Sequence, residues 1–206
     1  YDLTQETLAR VKFPLGGLRK TEAREIAAEA GLINARKHDS QDICFVPDGD
    51  YAKVIETRTG KTPEPGPFLD LNGNVVGTHR GIIHYTVGQR RGLRMPSDGK
   101  LYVVKILPEQ NAVVVGPNEA LFTRACLVSN MHWISGEAPA LPFRCSAKTR
   151  YRQPEQPCTV YPAGENGGRL VFDEPLRAIT PGQSAVLYDG DTVLGGGIIA
   201  REETAC

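Results

Sequence analysis

The chain has 206 residues, 40% of them hydrophobic and 23% charged, which excludes a disordered polymer and fits one large or two small cores. Lysine plus arginine and aspartate plus glutamate each number 24, so the net charge neither indicates nor excludes a nucleic-acid partner. No apolar run approaches the roughly 20 residues of a membrane span, and no leader opens the chain, so we expect a cytoplasmic protein without a membrane partner.

The first 58 residues are predicted to be helical or loop. A helix can begin at residues 4–6, because the Thr4 hydroxyl can accept a hydrogen bond from a backbone amide and an acidic residue suits the positive end. Apolar residues at helical spacing predict a second helix over residues 21–30, which ends at Gly31. A third, short helix is expected over residues 51–57.

A small central β domain is predicted next, after a linker. Residues 61–67 contain three prolines and no apolar periodicity, which is typical of a linker. Strands over 68–71 and 75–79 flank Asn72-Gly73, a pair suited to positive φ at both turn positions. A second hairpin is predicted over 101–107 and 112–116.

The rest of the chain predicts a closed β-barrel, because short strands follow one another without intervening helices. Its strands are expected at 143–151, 158–161, 170–172, 185–188 and 192–199, with Asp189-Gly190 at the last turn. The fold class is therefore mainly β with an α-helical N-terminal segment, a small central β domain and a C-terminal barrel. The predicted domain boundaries are 1–58, 59–120 and 121–206.

Basic residues are concentrated in two segments. Residues 78–105 contain six lysines and arginines against the single acid Asp98, and residues 144–152 contain four basic residues and no acid. Both segments are candidate phosphate-contact surfaces. The alternative, that these side chains only solvate a strand face, stays open at this point.

The five cysteines are irregularly spaced and include no C-x-x-C pair, so the sequence indicates neither a disulfide framework nor a zinc site. The four histidines are too scattered to suggest a metal cluster. Cys126, Cys145 and Cys158 lie in strand-like alternation and are interpreted as inert core residues. The glycine run 195–197 is interpreted as a tight barrel bend or a close backbone approach, because the Lys-Ser/Thr of a phosphate loop does not follow it.

Cys44 is the one cysteine in a chemically suggestive setting. Arg36, Lys37 and His38 precede it and would favour its thiolate. Asp39 and Asp42 would oppose ionisation, as would desolvation by the apolar residues on either side of the cysteine. The residues alone therefore leave a reactive thiol and a buried inert cysteine both open.

Six segments, in order along nearly the whole chain, resemble the bacterial-type tRNA-specific 2-thiouridylase family. They are Phe13-Pro14-Leu15-Gly16, Asp39-Ser40-x-x-Ile43-Cys44-Phe45, the stretch His84-Tyr85-Thr86-Val87-Gly88-Gln89-Arg90-Arg91-Gly92-Leu93, Lys148-Thr149-Arg150-Tyr151-Arg152-Gln153, Phe172-Asp173-Glu174-Pro175 and Thr180-Pro181-Gly182-Gln183-Ser184-Ala185-Val186. One such segment would be weak, whereas six at family-like spacing are specific.

The resemblance implies a sulfur-transfer reaction. The family uses ATP, with Mg, to adenylate the 2-carbonyl oxygen of the tRNA wobble uridine, and a persulfide on the cysteine matching Cys44 supplies sulfur. Adenylation creates a good leaving group, and a persulfide sulfur is a soft nucleophile. The resemblance also implies a second, upstream cysteine and a sulfur-donor or sulfur-relay protein.

The resemblance further implies that the C-terminal barrel, which is similar to the second domain of elongation factors, helps to hold the anticodon stem-loop. By motif match, Arg150 and Tyr151 are expected to contact the RNA backbone or stack on bases, and Gln183 to make a polar contact. The structural alternatives are a cross-strand pair for Arg150 and Tyr151 and a turn residue for Gln183. The protein is expected to be monomeric, with no metal ligands in this chain.

The family's S-G-G-x-D-S phosphate loop and second cysteine do not occur in this sequence, so we interpret the chain as a fragment that is inactive alone. Residues 33–50 would then lose a packing partner and are expected to be mobile or rearranged. Two other hypotheses remain: a noncatalytic RNA-binding module with a translation-factor-type barrel, and a redox sensor that uses Cys44.

Overall fold

The computed structural model describes residues 1–37, 46, 51–95 and 99–201, and these residues form two compact units. One unit spans Glu6–Lys61, and the other combines Tyr1–Gln5 with the chain from Thr62 onward. Cys44 lies outside the described residues, as does most of segment 33–50, so the expected mobility of that segment remains a prediction. In the described ranges, no helix is both long enough and apolar enough to cross a membrane.

Three helices were predicted near the N-terminus, and all three are confirmed. They are α1 (Gln5–Arg10), α2 (Lys20–Glu29) and α3 (Tyr51–Thr59). The Glu22 carboxylate accepts the Arg19 backbone N–H at the start of α2, which satisfies a donor that the helix itself cannot pair. After α2 the chain turns at Gly31, where φ is 69°.

The central β domain is a four-stranded sheet in the order β2-β1-β4-β3. Its strands are β1 (Gly66–Leu69), β2 (Val75–His79), β3 (Tyr102–Leu107) and β4 (Ala112–Gly116). Strands β1 and β4 are parallel, while the β1–β2 and β3–β4 pairs are antiparallel. Phe68, Val103 and Val113 are fully buried in its core. Both predicted hairpins are therefore confirmed.

The predicted linker 61–67 extends too far, because Gly66 and Pro67 belong to β1 and pair with His79 and Thr78. The side-chain amide of Asn111 explains why the chain before β1 has a defined conformation. Its Nδ2 donates hydrogen bonds of 3.1 Å to the backbone oxygens of Glu64 and Pro65. A contact from a residue more than forty positions away thus holds a segment whose local sequence is typical of a linker.

The β1–β2 turn also differs from the prediction, because Gly73 has a positive φ (85°) and Asn72 does not. Asp70 supports the turn instead. Its carboxylate accepts the backbone N–H groups of Asn72 and Asn74, each at 2.8 Å. The side-chain hydrogen bond from Asn74 is the main reason why the pKa of Asp70 lies below its ordinary value.

The C-terminal domain is a closed six-stranded barrel in the order β10-β5-β8-β7-β6-β9, which confirms the predicted fold class. Its strands are β5 (Phe122–Trp133), β6 (Phe143–Lys148), β7 (Gln156–Pro162), β8 (Gly168–Arg177), β9 (Ser184–Asp189) and β10 (Thr192–Ile199). The sequence analysis missed β5. This strand has a register shift between Thr123 and Ala125 and a left-handed residue at Asn130, so its burial does not alternate along its length.

The glycine run in β10 lies where three backbones come close together. A Cβ atom at Gly195 would lie 2.0 Å from the His132 carbonyl oxygen, and one at Gly197 would lie 2.5 Å from that of Ser129. A Cβ at Gly196 would meet the Ala185 carbonyl at 2.3 Å. Only glycine fits at such distances. The predicted close backbone approach at 195–197 is confirmed.

The first five residues of the chain lie against this barrel. The Gln5 side-chain amide donates to the Ile134 carbonyl at 2.8 Å, and His132 hydrogen-bonds to the Leu3 carbonyl at 3.2 Å. The Ser184 hydroxyl donates to the Tyr1 hydroxyl at 3.2 Å. The chain therefore contributes to the barrel unit before it enters the helical unit.

His79 is a buried polar residue in the central sheet, with 2% of its surface exposed. Its Nε2 donates to the Asn111 carbonyl at 2.9 Å, and its Nδ1 accepts the Gly81 backbone N–H at 3.0 Å. The rings of Phe68 and Tyr85 lie 5.5 and 5.7 Å away. These contacts suit a neutral imidazole with its proton on Nε2, and burial lowers the pKa of His79.

We predict that His79 makes the stability of the protein sensitive to acid. Because its pKa is lower in the folded state, the neutral ring contributes stability above the unfolded pKa of about 6.5, and this contribution is lost as the pH falls. His79→Gln should lower the free energy of unfolding by about 1–3 kcal/mol at pH 7.5. Urea titrations should show the difference between wild type and variant narrowing toward pH 5. A difference that stays constant would contradict the proposed neutral state.

Candidate nucleic-acid interface

A tight turn after β6 holds an aromatic side chain in solvent. Thr149 is buried, and its hydroxyl donates to Gln153 Oε1 at 2.9 Å, while the Gln153 backbone N–H donates to the Arg150 carbonyl at 3.1 Å. Tyr151 lies within this turn with 97% of its surface exposed. An exposed aromatic ring on a hydrogen-bonded turn offers a flat face on which a nucleobase can stack.

Arg150 connects this turn to the segment that follows β8. Its Nη2 donates to the Ala178 carbonyl at 2.7 Å and to the Thr180 hydroxyl at 2.9 Å. Ala178 has a left-handed backbone, with φ of 56°, and its N–H donates to the Leu121 carbonyl at 2.7 Å. The guanidinium group therefore bridges two loops at the same end of the barrel.

The second loop is a β-turn over residues 180–183. The Gln183 backbone N–H donates to the Thr180 carbonyl at 3.2 Å, with Pro181 and Gly182 in the middle positions. Gly182 has a φ of 85°, which is the requirement at the third position of a type II turn. Backbone hydrogen bonds of 2.8 Å link Gly182 and Gln183 to Ile199. These hydrogen bonds hold the backbone at Gln183 in place, and its side chain is exposed to solvent.

The structure brings Arg150 and the Gln183 turn together, and Tyr151 is the neighbour of Arg150 in the chain. Arg150 and Tyr151 lie in a turn outside the strands, whereas Gln183 is indeed a turn residue. Their RNA contacts remain predictions. The sequence analysis missed Thr149 and Thr180 as anchors, although both lie in segments that carried the family resemblance.

The basic segment 144–152 is less positive than its sequence suggests. Both terminal nitrogens of Arg144 bind the Asp173 carboxylate, and the Lys148 ammonium lies 3.4 Å from that of Glu155. The hydrogen bonds from Arg144 hold the pKa of Asp173 below its ordinary value. Two of the four basic side chains in this segment are therefore paired with acids from outside it, Asp173 on β8 and Glu155 just before β7.

In the other basic segment, Gln89 organises the loop between the first two hairpins. Its side-chain oxygen accepts the Thr86 backbone N–H at 2.9 Å, and its amide donates to the Arg91 carbonyl at 2.9 Å. The Gln89 carbonyl also accepts the Val103 N–H at 2.9 Å, which attaches the loop to β3. Arg90 and Arg91 are exposed on it. This loop remains a candidate phosphate-contact surface.

Within the described part of the chain, no three histidine, cysteine or acidic side chains are grouped so that they could hold a metal ion. Backbone atoms of the neighbouring barrel strands fill the space around the glycine run 195–197.

Three family profiles match the chain in succession. Residues 1–48 match a tRNA methyl transferase HUP domain, residues 53–117 match a tRNA methyl transferase PRC-barrel domain, and residues 123–199 match an aminomethyltransferase beta-barrel domain. The four-stranded sheet lies within the second match and the closed barrel corresponds to the third. Fold and profiles together show that the chain is similar, domain by domain, to the proteins that these profiles describe.

Comparison with individual proteins identifies the family more closely. The chain is 47% identical over 201 residues to the tRNA-specific 2-thiouridylase MnmA of Symbiobacterium thermophilum, which covers 98% of this chain and 52% of the relative. The matching protein of Moorella thermoacetica is 48% identical over 200 residues, 97% of this chain and 56% of the relative. The chain belongs to the tRNA-specific 2-thiouridylase family, and it spans about half the length of these relatives.

We predict that Arg150 stabilises the barrel end by joining its two turns. Arg150→Ala should lower the free energy of unfolding by about 1–2 kcal/mol, because two hydrogen bonds from a charged donor are lost. Arg169→Ala is the matched control, since Arg169 is an exposed arginine on β8, and it should change stability by no more than about 0.5 kcal/mol. Equal effects of the two substitutions in urea denaturation would contradict the bridging role.

Proposed function

We propose that this chain provides the sulfur-accepting cysteine and the RNA-holding β domains of a tRNA-uridine 2-sulfurtransferase. The observation that carries the proposal is the identity of 47% over 98% of the chain to a tRNA-specific 2-thiouridylase. The proposed division assigns residues 1–58 to the catalytic domain, 59–120 to the central β domain and 121–206 to the tRNA-contacting barrel.

Cys44 is proposed to carry the transferred sulfur as a persulfide. The terminal persulfide sulfur would attack C2 of the wobble uridine, whose oxygen leaves more readily once ATP, with Mg, has activated it. A second cysteine thiolate would then attack Cys44 Sγ, which breaks the persulfide S–S bond, forms a disulfide with Cys44 and leaves the sulfur on C2. In the alternative order, this attack comes first and releases the sulfur as sulfide, which then attacks the activated C2. The ATP-binding residues and this second cysteine are proposed to lie outside the present sequence.

The anticodon stem-loop is the proposed partner of the barrel end. Tyr151 offers an exposed ring for stacking on an unpaired base, and Arg150 holds the turn that carries this ring. Gln183 is proposed to make a polar contact from the neighbouring turn. A sulfur-donor or sulfur-relay protein is the second proposed partner, and the enzyme is proposed to act as a cytoplasmic monomer.

We predict that Cys44→Ser abolishes 2-thiouridine formation, because a serine hydroxyl cannot hold a transferable sulfur atom. The full-length protein would be incubated with ATP, a sulfur donor and unmodified tRNA, and nucleosides would be quantified by mass spectrometry. Cys126→Ser is the control, since Cys126 lies in the barrel strand β5, and it should retain activity. A Cys44→Ser protein with wild-type yield would refute the assigned role.

We predict that Tyr151→Ala weakens tRNA binding about tenfold through loss of base stacking, whereas Tyr151→Phe binds normally. Fluorescence anisotropy with a labelled tRNA would give the dissociation constants of the full-length proteins. Tyr161→Ala is the matched control, because Tyr161 is an exposed tyrosine on β7 of the same barrel. Unchanged affinity in Tyr151→Ala, or an equal loss in Tyr161→Ala, would rule out the stacking role.

A further inference from the structure

Two cysteines of the barrel face each other across neighbouring strands. Cys145 on β6 and Cys158 on β7 are direct partners in the antiparallel register, and their sulfur atoms lie 3.8 Å apart. Both are free thiols. The spacing of the two residues in the sequence does not reveal this pairing, which depends on the strand register.

The backbone at this position suits a disulfide bond. Residues directly opposite each other in an antiparallel pair have Cα atoms about 4.5–5.5 Å apart, and disulfides occur at Cα separations of about 4.4–6.8 Å. Contact between the two sulfur atoms shows that both side chains already point toward each other. A small rotation of the side chains would therefore bring the sulfurs to bonding distance without a shift of either strand.

The two thiols differ in environment. Cys145 is partly exposed, whereas Cys158 is completely buried. The hydrogen bond from Cys158, assisted by the positive charge of Arg144, lowers the pKa of the Cys145 thiol, and the same hydrogen bond together with burial raises that of Cys158. Cys145 is thus the thiol that a reagent in solution can reach, and it is also the more nucleophilic of the two at neutral pH.

We infer that Cys145 and Cys158 are a modification site, at which a small disulfide oxidant such as oxidised glutathione forms a reversible intramolecular disulfide. The Cys145 thiolate attacks the oxidant, whose S–S bond breaks and releases one glutathione thiol. Cys158 then loses its proton and attacks Cys145 Sγ, which releases the second glutathione. Two protein thiols are oxidised by two electrons, and one glutathione disulfide is reduced to two thiols.

This bond would close the hairpin formed by β6 and β7. The segment between the two cysteines contains the 149–153 turn with Arg150 and Tyr151. The disulfide would therefore lie at the base of the turn that carries the exposed Tyr151 ring. The inference itself rests on the thiol geometry and holds whether or not the barrel binds tRNA.

The test is to expose the folded full-length protein to oxidised glutathione, block remaining thiols with iodoacetamide and digest the protein with trypsin. We expect a linked pair of peptides, residues 145–148 and 153–169, which reduction with dithiothreitol separates. The pair should form before links that involve Cys126. Recovery of Cys145 as a glutathione adduct with Cys158 alkylated, or of both cysteines alkylated while other cysteines are oxidised, would overturn the inference.

Single variants test the order of attack. Cys158→Ser should trap glutathione on Cys145, and Cys145→Ser should leave Cys158 reduced because it is buried. Cys126→Ser should still form the linked peptides and serves as the matched control. Glutathione on Cys158 in a folded Cys145→Ser protein would refute this order. The peptide result on wild type does not depend on whether any variant folds.

Discussion

Closure of the barrel depends on how closely β10 approaches its two neighbours. Cβ atoms added to the glycine run 195–197 would lie only 2.0–2.5 Å from carbonyl oxygens of the neighbouring strands, those of Ser129, His132 and Ala185. Backbone atoms cannot move aside as a flexible side chain can, so any larger residue there would separate β10 from β5 or β9. The last strand can complete the ring only because it has no side chains at these three positions.

The proposed RNA-facing end follows from this closed ring. Closure places β9 beside β6, so the turn after β6 and the turn before β9 emerge at one end, where Arg150 joins them. Strand order also affects the local charge, because β6 and β8 both pair with β7 and Asp173 on β8 binds Arg144 on β6. The positive charge that remains for phosphate contacts is therefore smaller, and differently placed, than the count of basic residues suggests.

Local patterns were sufficient for elements that are stabilised locally. The helices follow from apolar spacing and end signals, and the hairpin of β3 and β4 follows from β-branched runs that pair with their immediate neighbours. The failures share a physical cause. Asn111 holds the backbone just before Gly66 and Pro67. In β5, buried and exposed residues do not alternate regularly, but the strand is stabilised by pairing with both β8 and β10. In each case a distant partner outweighs the local preference.

The sequence by itself determined the fold class, the family and the residues Cys44, Arg150, Tyr151 and Gln183 as candidates, because motifs and periodicity are properties of neighbouring positions. Only the tertiary structure decided what several side chains contact. It assigned Arg150 to a bridge between two turns, paired Arg144 with Asp173 and placed Cys145 against Cys158. Each of these contacts joins residues from different segments, and strand register, not local sequence, sets which residues meet.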